Sequence, residues 1–238
     1  MTEYKEVMPH GHIEEVFPDI FFVTGTMCNE FFGSDWCFGR NMTVVRENGN
    51  LTIFNSVRLN DEGLAALDAL GKVVNVVRLG DLHGVDDPFY VDHYNATFWA
   101  LPNMGIQDGL SVDKELVEGG EMPVSNCSLF TFKTTKRPEG ILRLDRDGGI
   151  MIACDALQNW EQPDAFTNEE TVAKMTEFGF YTKANPGPGW MHASEPQPDD
   201  FAQLKSVDFK HALCGHGTPL RDTAMEDFHA TWARLFKV

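Results

Sequence analysis

The chain has 238 residues, 42% hydrophobic and 23% charged, which is enough apolar material for a sizeable core and too little charge for a disordered chain. Its 19 Lys and Arg against 36 Asp and Glu give a net charge of −17, a field that repels a nucleic-acid backbone or an anionic membrane surface. The densest basic stretch, residues 133–137, is too short to reverse that field, so neither kind of partner is expected, and acidity alone indicates no more than solubility.

Residues 1–16 are polar, with Glu3, Glu6, Glu14 and Glu15, and lack the basic start and apolar run of a secretory signal. No stretch approaches the roughly 18 apolar residues that span a bilayer. Residues 20–24 read as a short apolar strand. Residues 42–46 and 51–55 make two more, joined across Asn48-Gly49-Asn50, a hairpin turn signal. Asn60 caps a helix carrying Leu64, Leu67 and Leu70 on one face. Residues 73–79 form a β-branched buried strand, 80–95 a polar segment, 97–100 a short strand, and 101–123 an unpatterned loop.

Strands follow at 128–132, 140–144 and 149–154. Thr167 with Glu170 forms a capping box ahead of Val172, Met175 and Phe178. Residues 185–198, rich in Pro and Gly, read as loop. Residues 209–214 are a final strand, and Asp222 caps a closing helix with Met225, Phe228, Trp232 and Leu235 on its apolar stripe. No repeat, low-complexity tract or charge block marks a boundary, so one domain over residues 1–238 is expected. Strands grouped early and helices between later strands predict two sheets with helices outside. A doubly wound fold lacks support, because no Gly-rich turn follows the first strand.

The five cysteines (Cys28, Cys37, Cys127, Cys154, Cys214) have no short paired spacing. An odd count without an export signal predicts reduced thiols and a cytoplasmic location, with Cys154 and Cys214 as small core residues.

Acid–base and metal-type side chains stand at strand ends in four places. These are Asp81-Leu82-His83-Gly84-Val85-Asp86-Asp87-Pro88, Cys154-Asp155, Gly215-His216-Gly217, and the turn Lys136-Arg137-Pro138-Glu139-Gly140. Singly, an Asp after a strand is more often a turn former or cap, and a His between glycines as often holds a tight turn.

Their order along the chain resembles that of the metallo-β-lactamase superfamily. Residues 148–160, GGIMIACDALQNW, look like the family strand ending in a metal-bridging aspartate, here Asp155. Residues 211–220, HALCGHGTPL, are similar to the segment that delivers its last histidine, here His216. Residues 73–90 occupy the place of the strand and HxHxDH signature, with His83 on the first histidine and Asp87 on the aspartate. The resemblance spans nearly the whole chain and implies a four-layer αββα sandwich, an α+β/α/β architecture. It departs where Val85 and Pro88 fall on the other histidines and where the Lys136 turn replaces a His-Thr-Pro-Gly turn.

On this resemblance His83, Asp87, Asp155 and His216 are the expected metal ligands, with Asp155 and Asp87 the catalytic carboxylates. Two nitrogens and two carboxylates suffice for one divalent ion, zinc first and iron or manganese as alternatives, with a place left for water. The implied activity is hydrolysis of a small ester-, lactone- or thioester-like substrate. The opposing expectation is a catalytically silent binder with no metal, in which Lys136 or Arg137 pairs with Asp155 or Asp87. His93 and His192 lie outside the matched motifs; each could support a ligand or replace one, and an ordinary surface or loop histidine is the plainer expectation. Phe31, Phe32, Trp36, Phe38, Phe89, Tyr90, Trp160 and Trp190 fall in segments read as loops flanking the cleft, consistent with a partly apolar ligand. Residues 31–38 offer either a homodimer contact or a lid.

Overall fold

The structure is a computed structural model that describes residues 4–31, 33–107 and 109–238. Its larger sheet has seven strands in chain order: β1 (Glu14–Phe17), β2 (Ile20–Phe31), β3 (Ser34–Glu47), β4 (Asn50–Phe54), β5 (Lys72–Arg78), β6 (Thr97–Ala100) and β7 (Lys114–Glu115). The smaller sheet, in the order β13-β10-β9-β8, uses β8 (Cys127–Thr131), β9 (Gly140–Leu144), β10 (Ile150–Ala153) and β13 (His211–Leu213). β11 (Gln158–Trp160) and β12 (Thr182–Asn185) pair separately. The helices are α1 (Asp61–Leu70), α2 (Asp87–Tyr94), α3 (Glu169–Glu177), α4 (Pro188–Ser194), α5 (Pro198–Leu204) and α6 (Ala224–Phe236).

The strand period of two divides the smaller sheet between two cores. Ile150, Ile152, Leu142 and Leu144 join the apolar cluster of the larger sheet. Their neighbours Met151, Ala153 and Ile141 face α5 and α6 through Phe201, Leu204, Phe228 and Trp232. Leu67 of α1 and Phe89 and Tyr90 of α2 pack against the larger sheet. Helices therefore flank both sheets, and the chain is an αββα sandwich.

The turn and cap signals place several elements as expected. Asn48 and Gly49 both have positive φ between β3 and β4, and Asn60 accepts from the Gly63 amide at the start of α1. Others shift by a residue. Asn168, rather than Thr167, caps α3 through the Thr171 amide. Thr223 precedes α6, and Asp222 sits in a left-handed conformation instead of capping it.

The segment read only as polar, 80–95, contains α2, the segment read as loop, 185–198, contains α4, and α5 starts at its end. Pro88 pre-sets the first turn of α2, and Pro188 and Pro198 do the same for α4 and α5. β2 and β3 run well beyond the short strands expected at 20–24 and 42–46 and form a hairpin, paired in register from Ile20–Val45 to Phe31–Ser34. Its outer half lacks apolar alternation, so the backbone ladder alone reveals it. Cys28 and Cys37 lie opposite each other there with Cα atoms 4.1 Å apart and form a disulfide. This corrects the expectation of five reduced thiols and removes the cysteine argument for a reducing compartment. Among the described residues no helix is long and apolar enough to cross a membrane.

Candidate metal centre

Three side chains meet at the ends of β5, β10 and β13. His83 Nε2 lies 3.0 Å from His216 Nε2 and 3.3 Å from Asp155 Oδ2. His216 Nε2 lies 3.2 Å from Asp155 Oδ1. The side chains of all three residues are buried to nine-tenths or more.

Each is held by its own strand-end hydrogen bonds. His83 follows β5 in a tight turn closed by its amide on the Gly80 carbonyl. Asp155 follows β10, and its amide and that of Ala156 both donate to Glu139 Oε1 at 2.8 Å. Gln158 Nε2 donates to Asp155 Oδ1 at 3.0 Å. The His216 turn is bracketed by Asn41 of β3, whose Nδ2 donates to the Cys214 and Gly217 carbonyls. Gly217 has φ +81, and a Cβ there would collide with the Asn159 carbonyl, so only glycine closes this turn.

The electrostatics suit metal ligation. Burial weighs most on His83 and lowers its pKa against the attraction of Asp155, which keeps the ring neutral. Burial also acts most strongly on Asp155, in the raising direction, but the two imidazoles at its oxygens outweigh it and hold the carboxyl ionised. His216 Nδ1 donates to the Gly39 carbonyl at 2.8 Å, which leaves Nε2 as the nitrogen that faces Asp155 Oδ1.

Three donors 3.0–3.3 Å apart match the edges of a tetrahedron with metal–ligand bonds near 2.0–2.1 Å, about 3.3 Å. The residues therefore fit one ion with three protein ligands. The Nδ1–carbonyl bond of His216 is the partner that a metal-bound histidine generally keeps. Cys154 Sγ also lies within 4.8 Å of donor atoms on His83 and Asp155, although burial raises its pKa and keeps it a thiol.

Asp87 is not brought into this cluster. Its Oδ1 accepts from Ser56 Oγ at 2.5 Å and its Oδ2 from Arg78 Nε at 2.7 Å, both buried. Arg78 spends its remaining donors on the Gly84 and Gly105 carbonyls and on Gln107 Oε1. Gly84, at φ +98, leaves room for that guanidinium where a Cβ would meet it. A second buried pair joins Arg40 to Asp86. These two arginines organise the loop after β5, on strands where the sequence singled out no cation. Lys136 and Arg137 do not approach Asp155 or Asp87; they pair with Glu195 and Asp81. His93 stacks on Phe89 of α2, outside the cluster.

Above the three donors opens a cavity of about 260 Å³. The β2–β3 hairpin contributes Met27, Phe31, Trp36 and Phe38. Trp160 of β11, Met175 of α3 and Phe180 form another side, and Trp190, His192 and Ala193 of α4 a third. These aromatic residues sit on strands, helices and one short connection rather than on long loops. Phe89 and Tyr90 belong to the core, and Phe32 lies outside the described residues. Trp160 packs on the His216 ring at 4.9 Å, and its Nε1 donates to Asp164 Oδ2. Gln158 and Glu139 are the site residues that sequence reasoning missed. Gln158 was visible three positions after Asp155; Glu139 stood inside the turn assigned to a cation.

No protein-family model matches the chain, and no curated protein matches it in sequence. Solved structures do match. The DIM-1 metallo-β-lactamase superposes with a TM-score of 0.63 at 12% identity, covering 95% of this chain and 99% of that one. The metallo-β-lactamase FIM-1 from Pseudomonas aeruginosa, in its mono-zinc form, gives 0.60 at 13% identity over 97% of both chains. A metallo-β-lactamase from Erythrobacter litoralis gives 0.57 at 13% identity over 97% and 96%. Over nearly its whole length, then, the chain has the metallo-β-lactamase fold.

Proposed function

We propose that the protein is a metal-dependent hydrolase of a small ester-, lactone- or thioester-like substrate, working with a single ion. The observation that carries this reading is the convergence of His83 Nε2, Asp155 and His216 Nε2 at 3.0–3.3 Å under an open cavity. A divalent ion there, zinc first and iron or manganese as alternatives, would supply Lewis acidity and bring the pKa of water towards about 7. His83 and His216 would hold the ion through Nε2, with His216 oriented by the Gly39 carbonyl. Asp155 would add a carboxylate oxygen, and Gln158 holds its Oδ1 in place. The aromatic wall excludes bulk water and strengthens every charge interaction at the carboxylate. Elemental analysis of protein purified without chelator tests the reading. About one equivalent of metal is expected, lost in Asp155→Ala and His216→Ala together with esterase or thioesterase turnover. Less than about a tenth of an equivalent, unchanged on adding zinc, iron or manganese, overturns it.

The Arg78–Asp87 ion pair favours a second reading, a catalytically silent protein that binds a small molecule in the same cavity. It takes away the carboxylate aligned with the family's aspartate ligand. That reading expects Asp155→Ala to alter ligand binding or stability with no turnover to lose; metal-dependent turnover abolished by the substitution excludes it.

A further inference from the structure

We propose that the cavity selects an uncharged substrate with a flat aromatic group next to the carbonyl that is cleaved, and rejects the corresponding anion. This rests on the hydrolase reading and specifies its substrate class. Phe31, Trp36, Phe38, Trp160 and Phe180 form a wall of rings, which favours a planar apolar group through edge and offset stacking. Among the described residues no lysine or arginine lines this cavity. An anionic group entering it loses its hydration and gains no cation from the chain, so its transfer is disfavoured relative to an uncharged group of the same shape. The protein's net charge of −17 adds to that penalty.

The polar side chains that share the wall with the rings point the same way. Gln158 and Trp190 line the cavity without carrying a charge, and Gln158 is held by its Nε2 on Asp155 Oδ1.

Calorimetric titration of metal-free protein with cinnamamide and with cinnamate, equal in shape and different in charge, tests the proposal. Cinnamamide is expected to bind at least about tenfold more tightly. Phe180→Ala should weaken its binding. Leu82→Lys, placing an ammonium at the partly exposed cavity mouth, should narrow or reverse the preference. Equal or tighter binding of cinnamate to the unaltered protein overturns the proposal, as does failure of both compounds to bind. Since no metal and no turnover enter this measurement, loss of the hydrolase reading leaves its result standing, and the reverse holds as well. Should Leu82→Lys prove unfolded by its melting curve, the comparison on the unaltered protein decides alone.

Discussion

His216 donates through Nδ1 to the carbonyl of Gly39 at 2.8 Å, and that bond turns the other ring nitrogen towards Asp155. The backbone of β3 thus fixes which nitrogen is free to bind a cation. From this follows a first prediction. Added zinc should raise the melting temperature, since an ion at a hundred times its Kd contributes about 2.7 kcal/mol to the folded state. In His216→Ala and Asp155→Ala the rise should disappear, and competition with a chromophoric chelator should show affinity reduced by about 100-fold or more, beyond the 10–100-fold typical of outer partners. Retained affinity in both variants would place the ion elsewhere.

Asp87 provides the contrasting case. Both of its oxygens are engaged, by Arg78 and Ser56, so Asp87→Asn should leave zinc affinity within about threefold while destabilising the protein. Removing one partner of a buried ion pair costs about 3–5 kcal/mol, because the remaining charge is left uncompensated. Denaturant unfolding of the metal-free variant measures that cost. A large loss of zinc affinity with little loss of stability would show instead that Asp87 leaves Arg78 and joins the metal.

These two residues illustrate what the sequence could reveal. Asp155 and His216 were legible because each follows a buried apolar strand, and a strand's end delivers a side chain to a cleft whatever the sheet's details. Asp87 was read from the segment after β5 and from its resemblance to the HxHxDH aspartate, but it stands at the start of α2, nine residues past that strand. Its role is decided by Arg78, nine residues earlier at the end of β5, and no local pattern indicates whether an arginine there turns inward. The helices α2, α4 and α5 were hidden for a different reason. Each opens with proline near its first turn, and proline-rich stretches read as loops unless the following residues show a long apolar period, which helices of seven or eight residues are too short to display.

Glu139 leads to a prediction about pH. Its Oε1 accepts two backbone amides while Oε2 is buried without a partner. Burial, followed by the nearby charge of Asp155, raises its pKa well above the ordinary 4.5. The unfolded chain releases this proton near pH 4.5 while the folded chain retains it, so the group lowers stability as pH rises above that value. Glu139→Gln keeps the amide acceptor and removes the ionisation. Measured with chelator present, its melting temperature should exceed the parent's at pH 8, by roughly 2–4 °C for each kcal/mol relieved, and the difference should vanish near pH 4. A variant less stable at pH 8 than at pH 4, relative to the parent, would show that the ionised carboxylate is the stabilising form.

The Cys28–Cys37 disulfide ties together the two strands that carry Met27, Phe31, Trp36 and Phe38 into the cavity wall. Closing so short a loop stabilises by roughly 2–3 kcal/mol on the chain-entropy account, so Cys28→Ser with Cys37→Ser should lower stability by that order and loosen binding of apolar ligands. The remaining thiols make the bridge countable. Burial, then Glu47, pushes Cys127 up to about 11, and burial also raises Cys154 and Cys214. At pH 8 an ordinary thiol is about a quarter ionised, whereas one at 11 is about 0.1% thiolate, and the thiolate is what attacks a disulfide reagent. Native unreduced protein should therefore react slowly with an aromatic disulfide reagent. The same protein in denaturant should show three thiols, the free cysteines Cys127, Cys154 and Cys214. Mild reduction before the assay should add two, the exposed Cys28 reacting first in the native state. Five thiols in denatured, unreduced protein purified under air would show that the hairpin closes without its bridge, and the wall would then depend on the β2–β3 ladder alone.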